Sequence, residues 1–527
     1  MRGLDSRYFS RCCIVGLLPA LIAVALAGSS WAQEPIAPKL EAILDVPEFK
    51  HSHWGVLVID LETGRTLYER NADKLFAPAS VTKLFSVAAA LDELGADFRY
   101  ETPVYVRGEL NEEGELDGDL ILVASGDPTL GGRTDDVGKL VFKDVDHTYA
   151  GYSTNAQLTD VDPLAGLDDL ARQVSALGVS NVLGDVVIDD RLFTSASGSG
   201  SGPQRLTPIV VNDNVLDFTI KPGAVGEPAK IECRPATSAF TIDAAVETGT
   251  AGALTRVNIE EPIAGTITLR GTIAADRAPL VLIHPVDKPA SFARSQFIDA
   301  LKRAGVRVEA SRYADNAPEK LPETESYATL KRAALLKSPP FAESAKVILK
   351  VSHNLHAGML PLMLASKHGK KTLADGLRIE GEALRRLGVD VDSISFGGGA
   401  GGDRADYVTP RAAADLLAAM SRRDDFPVYR EALPVLGVDG TLVSALDKDS
   451  PARGKVRAKT GTLSWSNLLQ GRSLLQSKAL AGYAETKSGR TVAFAVFVNL
   501  VHLREPGDRD RIGRVLGSIA AALYEGL

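Results

Sequence analysis

The period of the apolar residues changes along the chain, and it predicts different elements in different segments. An apolar run from Trp54 to Asp60, a turn at Glu62–Arg65 and a second run from Thr66 to Glu69 predict a β-hairpin. From Ser80 to Leu94 apolar residues recur at helical spacing. The N-terminal part is therefore predicted to be a hairpin followed by a helix that begins at Ser80.

Short β-rich runs separated by turns dominate from about Arg99 to Lys320. A Ser/Gly string from Ser195 to Pro203 predicts a mobile surface loop, and Asn316–Glu325 has the Pro/Glu composition of a linker. A short helix is predicted over Gly166–Leu177. The predicted strands are Gly118–Ala124, Gly184–Ile188, Val215–Ile220, Ala264–Gly271 and Ala278–Ile283.

Helical and strand patterns alternate again after the linker. The predicted elements are helices over Thr372–Leu387, Pro410–Arg422 and Ile512–Tyr524, a strand over Val456–Leu463 and a hairpin of Ala479–Glu485 with Arg490–Asn499. The simplest architecture is α/β: an antiparallel sheet flanked by helices and interrupted by a large β-rich insertion. We expect residues 33–98 and 321–527 to form the catalytic domain, and residues 99–320 to form inserted domains, two of them nested.

Residues 1–32 are predicted to be a signal peptide. Three arginines precede an apolar run over Ile14–Ala27, and Ser30-Trp31-Ala32 has the small residues of a cleavage site. The alternative is an uncleaved N-terminal anchor. No later run reaches about 18 apolar residues, so we expect an exported, periplasmic protein without a membrane span in its mature chain, at most loosely associated with a membrane.

Composition narrows the partners. Apolar residues make up 45% and charged residues 24% of the chain, which is ordinary for a folded protein. The net charge is −8 without a basic block, so nucleic acid is a poor partner. Cys233 is the one cysteine beyond the leader, which predicts no internal disulfide, and it is expected to be a small strand residue rather than a nucleophile. The sequence does not indicate an oligomeric state.

The first candidate motif is Ser80-Val81-Thr82-Lys83. A serine hydroxyl at a helix N-terminus has its developing negative charge stabilised, and Lys83 lies on the same face one turn later. Lys83 acts as a base only when neutral, which requires burial and a second cation nearby; Lys459 is the candidate for that cation. A Ser-x-x-Lys string also occurs by chance, so the motif alone is weak.

Ser352-His353-Asn354 is the second motif. Its serine offers a hydroxyl to pass a proton to a leaving amine, and its asparagine offers an amide to bind a peptide group. A purely structural cap is the alternative for Asn354. The similar string Ser153-Thr154-Asn155 lies in a polar stretch of the insertion and is interpreted as a turn.

Lys459-Thr460-Gly461-Thr462 is the third motif, within a predicted strand. Gly461 lets a substrate lie close to the strand, and the Thr460 and Thr462 hydroxyls can bind a terminal carboxylate. Backbone N–H groups of Ser80 and Thr462 would form an oxyanion hole. An exposed edge strand with an incidental Lys-Thr-Gly is the alternative. Together the three motifs predict a serine acyltransferase with a lysine base.

A metal or cofactor is not expected. His353 and His356 are three positions apart, but no cysteine or acidic cluster joins them in the sequence.

The order of the motifs resembles the penicillin-binding D-alanyl-D-alanine carboxypeptidases of the low-molecular-mass class C type, from about Trp54 to the C-terminus. About 270 residues separate the first two motifs, a gap in which this family carries inserted domains. Further similar strings are Gly118-Asp119-Leu120, Gly126-Asp127-Pro128-Thr129-Leu130, Gly184-Asp185-Val186-Val187-Ile188-Asp189, Val211-Asn212-Asp213-Asn214, Ser338-Pro339-Pro340 and Gly437-Val438-Asp439-Gly440-Thr441-Leu442.

The resemblance implies a penicillin-binding or β-lactamase-like transpeptidase fold and a D-Ala-D-Ala carboxypeptidase acting on peptidoglycan stem peptides. Ser80 would form the acyl-enzyme, β-lactams would acylate the same serine, and DD-endopeptidase activity on crosslinks would accompany it. Two features depart from the family pattern. Gly397–Asp403 lacks the usual acid and hydroxyl of an Asp-Gly-Ser-Gly-Leu loop, and Leu463–Lys478 is longer than the usual link.

Two other functions stay open at this point. A β-lactamase-like serine hydrolase or esterase would use the same Ser80 and Lys83 on another acyl group. A catalytically weak envelope protein would bind peptidoglycan through the inserted domains, which the altered glycine loop favours.

Overall fold

A computed structural model describes residues 36–151, 153–505 and 507–527. The predicted signal peptide lies outside the described residues. Within the described residues no helix is both long enough and apolar enough to cross a membrane.

The α-helices fall mainly at the two ends of the chain. They are α1 Ile36–Leu44, α2 Thr82–Leu94, α3 Ala165–Ala176, α4 Pro289–Arg303, α5 Phe341–Lys346, α6 Asn354–Lys367, α7 Leu373–Arg386, α8 Pro410–Met420, α9 Phe426–Glu431 and α10 Asp508–Gly526.

Most strands lie between these two groups of helices. They are β1 His53–Asp60, β2 Thr66–Arg70, β3 Glu101–Leu110, β4 Glu115–Val123, β5 Asn181–Val182, β6 Val186–Asp189, β7 Ala196–Ser197, β8 Arg205–Leu206, β9 Val215–Lys221, β10 Lys230–Arg234, β11 Thr241–Gly249, β12 Arg256–Ile263, β13 Thr266–Ala274, β14 Leu280–Pro285, β15 Arg307–Val308, β16 Lys331–Lys337, β17 Ile394–Ser395, β18 Tyr407–Val408, β19 Val456–Asn467, β20 Arg472–Glu485 and β21 Thr491–His502.

A five-stranded antiparallel sheet joins the two ends of the chain in the order β19-β20-β21-β1-β2. β1 is buried along nearly its whole length because helices cover both faces of the sheet. One face packs against α2 and α8, and the other packs against α1 and α10. The N-terminal and C-terminal hairpins therefore share one sheet, as the sequence predicts.

The inserted segment has its own sheets and its own hydrophobic core. β15, β5, β4, β3, β16 and β6 form one sheet, β9, β10 and β14 a second, and β11, β12 and β13 a third. The core extends from Val104 to Ala334. The domain boundaries stay a prediction; β16, which follows the predicted boundary at residue 320, pairs with β3.

α4 is an element that the β-rich interpretation of the insertion missed. Ala293, Phe297 and Leu301 follow one another at intervals of four residues, share one face of the helix and are buried in the core of the inserted segment. Lys288 precedes the helix, and Pro289 occupies its first position, where a missing N–H costs no hydrogen bond.

Candidate active site

Ser80 lies in a short 3-10 turn, Ala79–Val81, that leads directly into α2. Ala79 has φ of 46°, a left-handed conformation that is uncommon for a residue with a side chain. Ser80 is partly exposed, whereas its neighbours on both sides are buried. The turn thus presents one hydroxyl to a cavity at a helix N-terminus, where developing negative charge is stabilised.

Lys83 lies one turn later and is fully buried. Its Nζ donates hydrogen bonds to Ser80 Oγ (2.8 Å), Asn354 Oδ1 (2.7 Å) and the Ala400 carbonyl (2.7 Å). Burial lowers the pKa of Lys83 to about 7, while the charge of Asp406 acts in the opposite direction. A substantial fraction of Lys83 is therefore neutral at neutral pH and able to accept a proton.

Ser352 and Asn354 lie where α5 passes through a π-helical turn, Val347–Val351, before α6 begins. Ser352 has φ of 67°, and its carbonyl accepts a hydrogen bond from Tyr149 Oη (2.8 Å). Asn354 Nδ2 donates to Ser201 O (3.1 Å) and Ser201 Oγ (3.0 Å). Since Lys83 occupies the amide oxygen, both ends of the Asn354 side chain are oriented.

β19 carries the third motif past the Ser80 turn. Lys459 is fully buried, and burial together with the charge of Lys83 lowers its pKa. A Cβ at Gly461 would lie 2.4 Å from the Pro78 carbonyl oxygen, so only glycine permits this close approach. Thr460 Oγ1 donates to Thr441 Oγ1 (2.7 Å), and Thr462 Oγ1 accepts from Lys478 Nζ (2.9 Å).

One cavity of about 630 Å³ is lined by residues of all three motifs: Ser80, Ser352, Asn354, Thr460 and Thr462. Lys83, Lys459 and Gly461 are buried and do not belong to the lining. The arrangement offers a hydroxyl beside a partly neutral amine, a second hydroxyl, an oriented amide and two threonine hydroxyls. These are the groups that acyl transfer through a serine ester requires.

The glycine loop packs directly on the Ser80 turn. Ala400 supplies the carbonyl that Lys83 contacts, and a Cβ at Gly401 would lie 1.9 Å from the Ala79 carbonyl oxygen. Asp406 accepts from the Gly397 and Asp403 N–H groups, and burial raises its pKa to about 6. The loop therefore contributes a backbone carbonyl to Lys83 and packs closely on the Ser80 turn.

The Ser/Gly string lies at the site rather than away from it. Ser201 contacts Asn354, and Ser199 Oγ accepts from the Gly402 N–H at 3.2 Å. Ser199, Gly200 and Ser201 line the cavity. Composition alone predicted a surface loop. The residues that the Ser/Gly string contacts, Asn354 and Gly402, are distant in sequence, so only the fold brings them together.

Beneath Ser352 and Asn354 lies a buried cluster of charged and imidazole groups. Asp213 Oδ1 lies 2.7 Å from His356 Nε2, and Asp213 Oδ2 lies 3.4 Å from His353 Nε2. The expectation that no acid joins these histidines is wrong, because Asp213 is contributed by the distant insertion. Arg133 Nη2 donates to Asp213 Oδ2 (2.7 Å), so this carboxylate is already neutralised by an ion pair.

Three functional candidates escaped the sequence reasoning: Tyr149, Ser201 and Lys478, which all line the cavity. Lys478 had a local signal, since it directly precedes the predicted strand Ala479–Glu485, which follows the predicted active-site strand. Cys233 is distinct from them, because burial raises the pKa of its thiol to about 12 and leaves it a poor nucleophile.

Comparison with known proteins gives concordant matches. Residues 36–516 match the D-Ala-D-Ala carboxypeptidase 3 (S13) family. A D-alanyl-D-alanine carboxypeptidase from Actinomadura sp. (strain R39) is 31% identical over 470 residues, which cover 85% of this chain and 80% of that protein. D-alanyl-D-alanine carboxypeptidase DacB from Haemophilus influenzae is 24% identical over 467 residues, 85% of each chain.

A solved structure has the same fold. Penicillin binding protein 4 (dacB) from Haemophilus influenzae matches with a TM-score of 0.70 at 20% identity, covering 93% of this chain and 100% of that chain. A second structure of that protein, complexed with a β-lactam, matches with a TM-score of 0.66 at 21% identity and covers 90% and 97% of the two chains. The likeness confirms the predicted fold class.

Proposed function

Because the chain belongs to the D-Ala-D-Ala carboxypeptidase 3 (S13) family, we propose that Ser80 is the nucleophile with which it cleaves D-Ala-D-Ala peptides. Membership makes the chain a serine-type D-Ala-D-Ala carboxypeptidase. The observation that carries the assignment of Ser80 is its 2.8 Å contact with Lys83, whose pKa burial lowers to about 7.

In acylation, neutral Lys83 takes the Ser80 proton while Oγ attacks the carbonyl between the two D-alanines. The N–H groups of Ser80 and Thr462 stabilise the oxyanion. Ser352 relays the proton that Lys83 took from Ser80 to the leaving amine, so that Lys83 is neutral again; the C–N bond breaks, and D-alanine departs with its carboxylate intact. Asn354 holds the peptide group of the substrate, and its orientation by Lys83 and Ser201 supports this role.

In deacylation, water replaces the amine. Lys83 accepts a proton from the attacking water, the ester carbonyl again places negative charge in the oxyanion hole, and Ser80 leaves as a hydroxyl. The products are the shortened peptide and the free enzyme. Penicillin would form the same ester with Ser80, a proposal that the β-lactam complex of the Haemophilus influenzae protein supports.

Peptidoglycan stem peptides are the proposed substrates, and the proposed location is the periplasm or another exported compartment. The arginine-rich, apolar segment 1–32 supports export by a cleaved signal peptide. Cleavage of D-Ala crosslinks as an endopeptidase would use the same cavity, since both bonds place a D-alanyl carbonyl at Ser80.

The test combines two readouts on the mature protein. Wild type should release D-alanine from a D-Ala-D-Ala peptide and bind one fluorescent penicillin per chain, and Ser80→Ala should lose both. Lys83→Ala should stay folded and lose acylation. Normal penicillin labelling of Lys83→Ala would overturn the assignment of the base.

A matched control separates the two Ser-x-Asn strings. Ser352→Ala should slow acylation, whereas Ser153→Ala, in the string outside the cavity lining, should leave it unchanged. Mass spectrometry of muropeptides would report carboxypeptidase and endopeptidase products together. Rapid turnover of penicillin would favour the β-lactamase-like alternative, and a folded but inactive wild type would favour the binding protein.

A further inference from the structure

Lys478 places a cation in the cavity that the three motifs do not account for. It lies on β20 directly opposite Thr462 of β19, and opposite residues of an antiparallel pair share a face. Its Nζ donates to Thr462 Oγ1 at 2.9 Å and lies 3.4 Å from the position of a Cβ at Gly513 of α10. The ammonium is therefore wedged between the active-site strand and the last helix.

The charge of Lys478 has no ion-pair partner within the described residues, where its one hydrogen bond is to a neutral hydroxyl. Two charged groups of α10 act on it from a distance: Asp510 favours its charged form and Arg509 disfavours it. A partly buried ammonium group is expensive unless it is paired. A cation left unpaired in a cavity that also holds a nucleophile points to an anionic ligand.

Lys459 is poorly suited to that task. Its side chain is fully buried behind the cavity lining, and its Nζ donates to the Thr460 carbonyl of its own strand at 2.8 Å. The Thr460 and Thr462 hydroxyls offer hydrogen bonds but no charge. Lys478 is thus the lysine that reaches the lining beside both threonines.

We propose that Lys478 Nζ, together with Thr462 Oγ1, binds the free C-terminal carboxylate of the substrate and so selects peptides that end in an unblocked D-amino acid. This inference rests on the proposed function. It makes Lys478 a specificity-determining residue, because removing its charge weakens only substrates that carry the carboxylate. The carboxylate of a β-lactam would use the same contact.

The experiment compares a diacetyl-L-Lys-D-Ala-D-Ala peptide with its C-terminal amide in wild type, Lys478→Met and Lys478→Arg. Lys478→Met should lower kcat/KM for the free acid by about 10- to 100-fold, the effect of losing a hydrogen bond between charged groups, and change the amide by less than about twofold. Lys478→Arg should retain most of the preference for the acid. An unchanged acid-to-amide ratio in Lys478→Met overturns the inference.

The pH dependence of the acid-to-amide ratio is a second test, because a purely structural role of Lys478 would not change this ratio with pH. Burial lowers the pKa of Lys478 to about 8, so its charge is lost as the pH rises through that value. The acid-to-amide ratio of wild type should then fall above pH 8, and that of Lys478→Arg should not. Lys83 titrates as well, but it acts on both substrates and cancels in the ratio. A wild-type ratio that stays flat overturns the inference.

Two outcomes distinguish this inference from the proposed function. If wild type cleaves neither peptide and takes up no penicillin, the proposed function fails and the inference falls with it. If wild type is active, cleavage of the amide by Lys478→Met at close to the wild-type rate establishes that the variant is folded and its serine intact, because the amide lacks the carboxylate that the variant is expected to lose contact with. Lys478→Gln replaces Lys478→Met if cleavage of the amide is lost as well, and the acid-to-amide ratio then decides.

Discussion

An ammonium group in water has a pKa near 10.4, so a surface lysine is almost entirely protonated at neutral pH. Lys83 differs because it has no contact with solvent and satisfies its N–H groups with Ser80, Asn354 and Ala400. Burial disfavours the charged form, which gives the residue the acid–base range that catalysis near pH 7 needs.

The rate of acylation should therefore follow the neutral fraction of Lys83. Below its pKa of about 7 the side chain is protonated, and we expect the rate to fall about tenfold for each unit of pH. The measurement is the second-order rate constant for a fluorescent penicillin between pH 5 and 8. Lys74→Ala, which changes an exposed lysine, should leave the profile unchanged. A flat profile across this range would contradict the role of Lys83.

His147, in the buried cluster, has a raised pKa, in contrast to the lowered pKa of Lys83. Burial alone lowers its pKa, but the neighbouring carboxylates Asp217 and Asp146 outweigh burial and raise the pKa to about 10. The pKa of His147 is higher in the folded state than in the unfolded state, so protonated His147 stabilises the fold. This contribution to the free energy of unfolding is complete below the ordinary pKa of about 6.5 and is lost as the pH rises toward 10.

The thermal stability of the His147→Gln variant should accordingly lose the part of its pH dependence that comes from this histidine. We expect the Tm of wild type to fall between pH 7 and 10 more steeply than that of His147→Gln, as measured by thermal unfolding at a series of pH values. His368→Gln, which changes a partly exposed histidine paired with Glu93, serves as the control and should retain the wild-type slope. Equal slopes for wild type and His147→Gln would refute the prediction.

At the scale of elements, β19 positions the site by its close approach to the Ser80 turn. A methyl group at position 461 would lie 2.4 Å from the Pro78 carbonyl oxygen and 3.2 Å from Ala79 Cβ. The Pro78 carbonyl is a backbone group and cannot yield as the end of a flexible side chain would, so the strand and the turn must separate. The oxyanion hole would then lose its geometry.

Gly461→Ala should slow acylation by at least about tenfold, a loss of roughly 1.4 kcal/mol of transition-state stabilisation. The rate of penicillin labelling measures it. Gly381→Ala, within α7 where a Cβ meets nothing within 4 Å, is the matched control and should keep the rate while raising stability by about 0.5–1 kcal/mol. A Gly461→Ala variant that labels at the wild-type rate would show that the close approach is dispensable.

The ends of the strands in the β19–β20 hairpin were predicted wrongly from the spacing of apolar residues. The predicted strand stopped at Leu463, whereas β19 continues to Asn467 and β20 begins at Arg472. The extension carries Leu468 and Leu469, which are 89% and 94% exposed at its tip. A projecting hairpin buries little apolar surface. Its side chains therefore show neither the alternation of apolar and polar residues nor the apolar content that marks a strand in a hydrophobic core.

At the scale of the whole molecule, the sequence identified local chemistry and missed long-range convergence. The family and fold class predicted from three short motifs are confirmed. Ser80 and Lys83 lie three residues apart, in the turn before α2 and in its first turn, so their spacing was informative. Asp213 reaches the site from a distant segment, which no local pattern encodes, whereas Lys478 reaches it through the hairpin of β19 and β20. The roles of the individual site residues stay predictions.

Asp213 ties the inserted segment to the catalytic site. It comes from the turn before β9 and contacts Arg133 and His147 of the insertion, and also His356 of α6. Because its charge is buried against cations, Asp213→Ala would leave Arg133 and His147 with fewer partners. Removing one member of a buried ion pair costs about 3–5 kcal/mol, whereas an exposed pair contributes about 1 kcal/mol or less.

Asp213→Ala should therefore lower the free energy of unfolding by several kcal/mol, about 3–5 by the buried-pair range, in urea titrations. It should also slow penicillin labelling, because His353 separates Ser352 from Asn354 and lies over the same carboxylate. Asp243→Ala, which breaks the exposed pair with Arg270, is the control and should change both by little. If Asp213→Ala unfolds normally yet labels slowly, the cluster positions the second motif without stabilising the fold; if both stay normal, the inserted segment and the site are energetically independent.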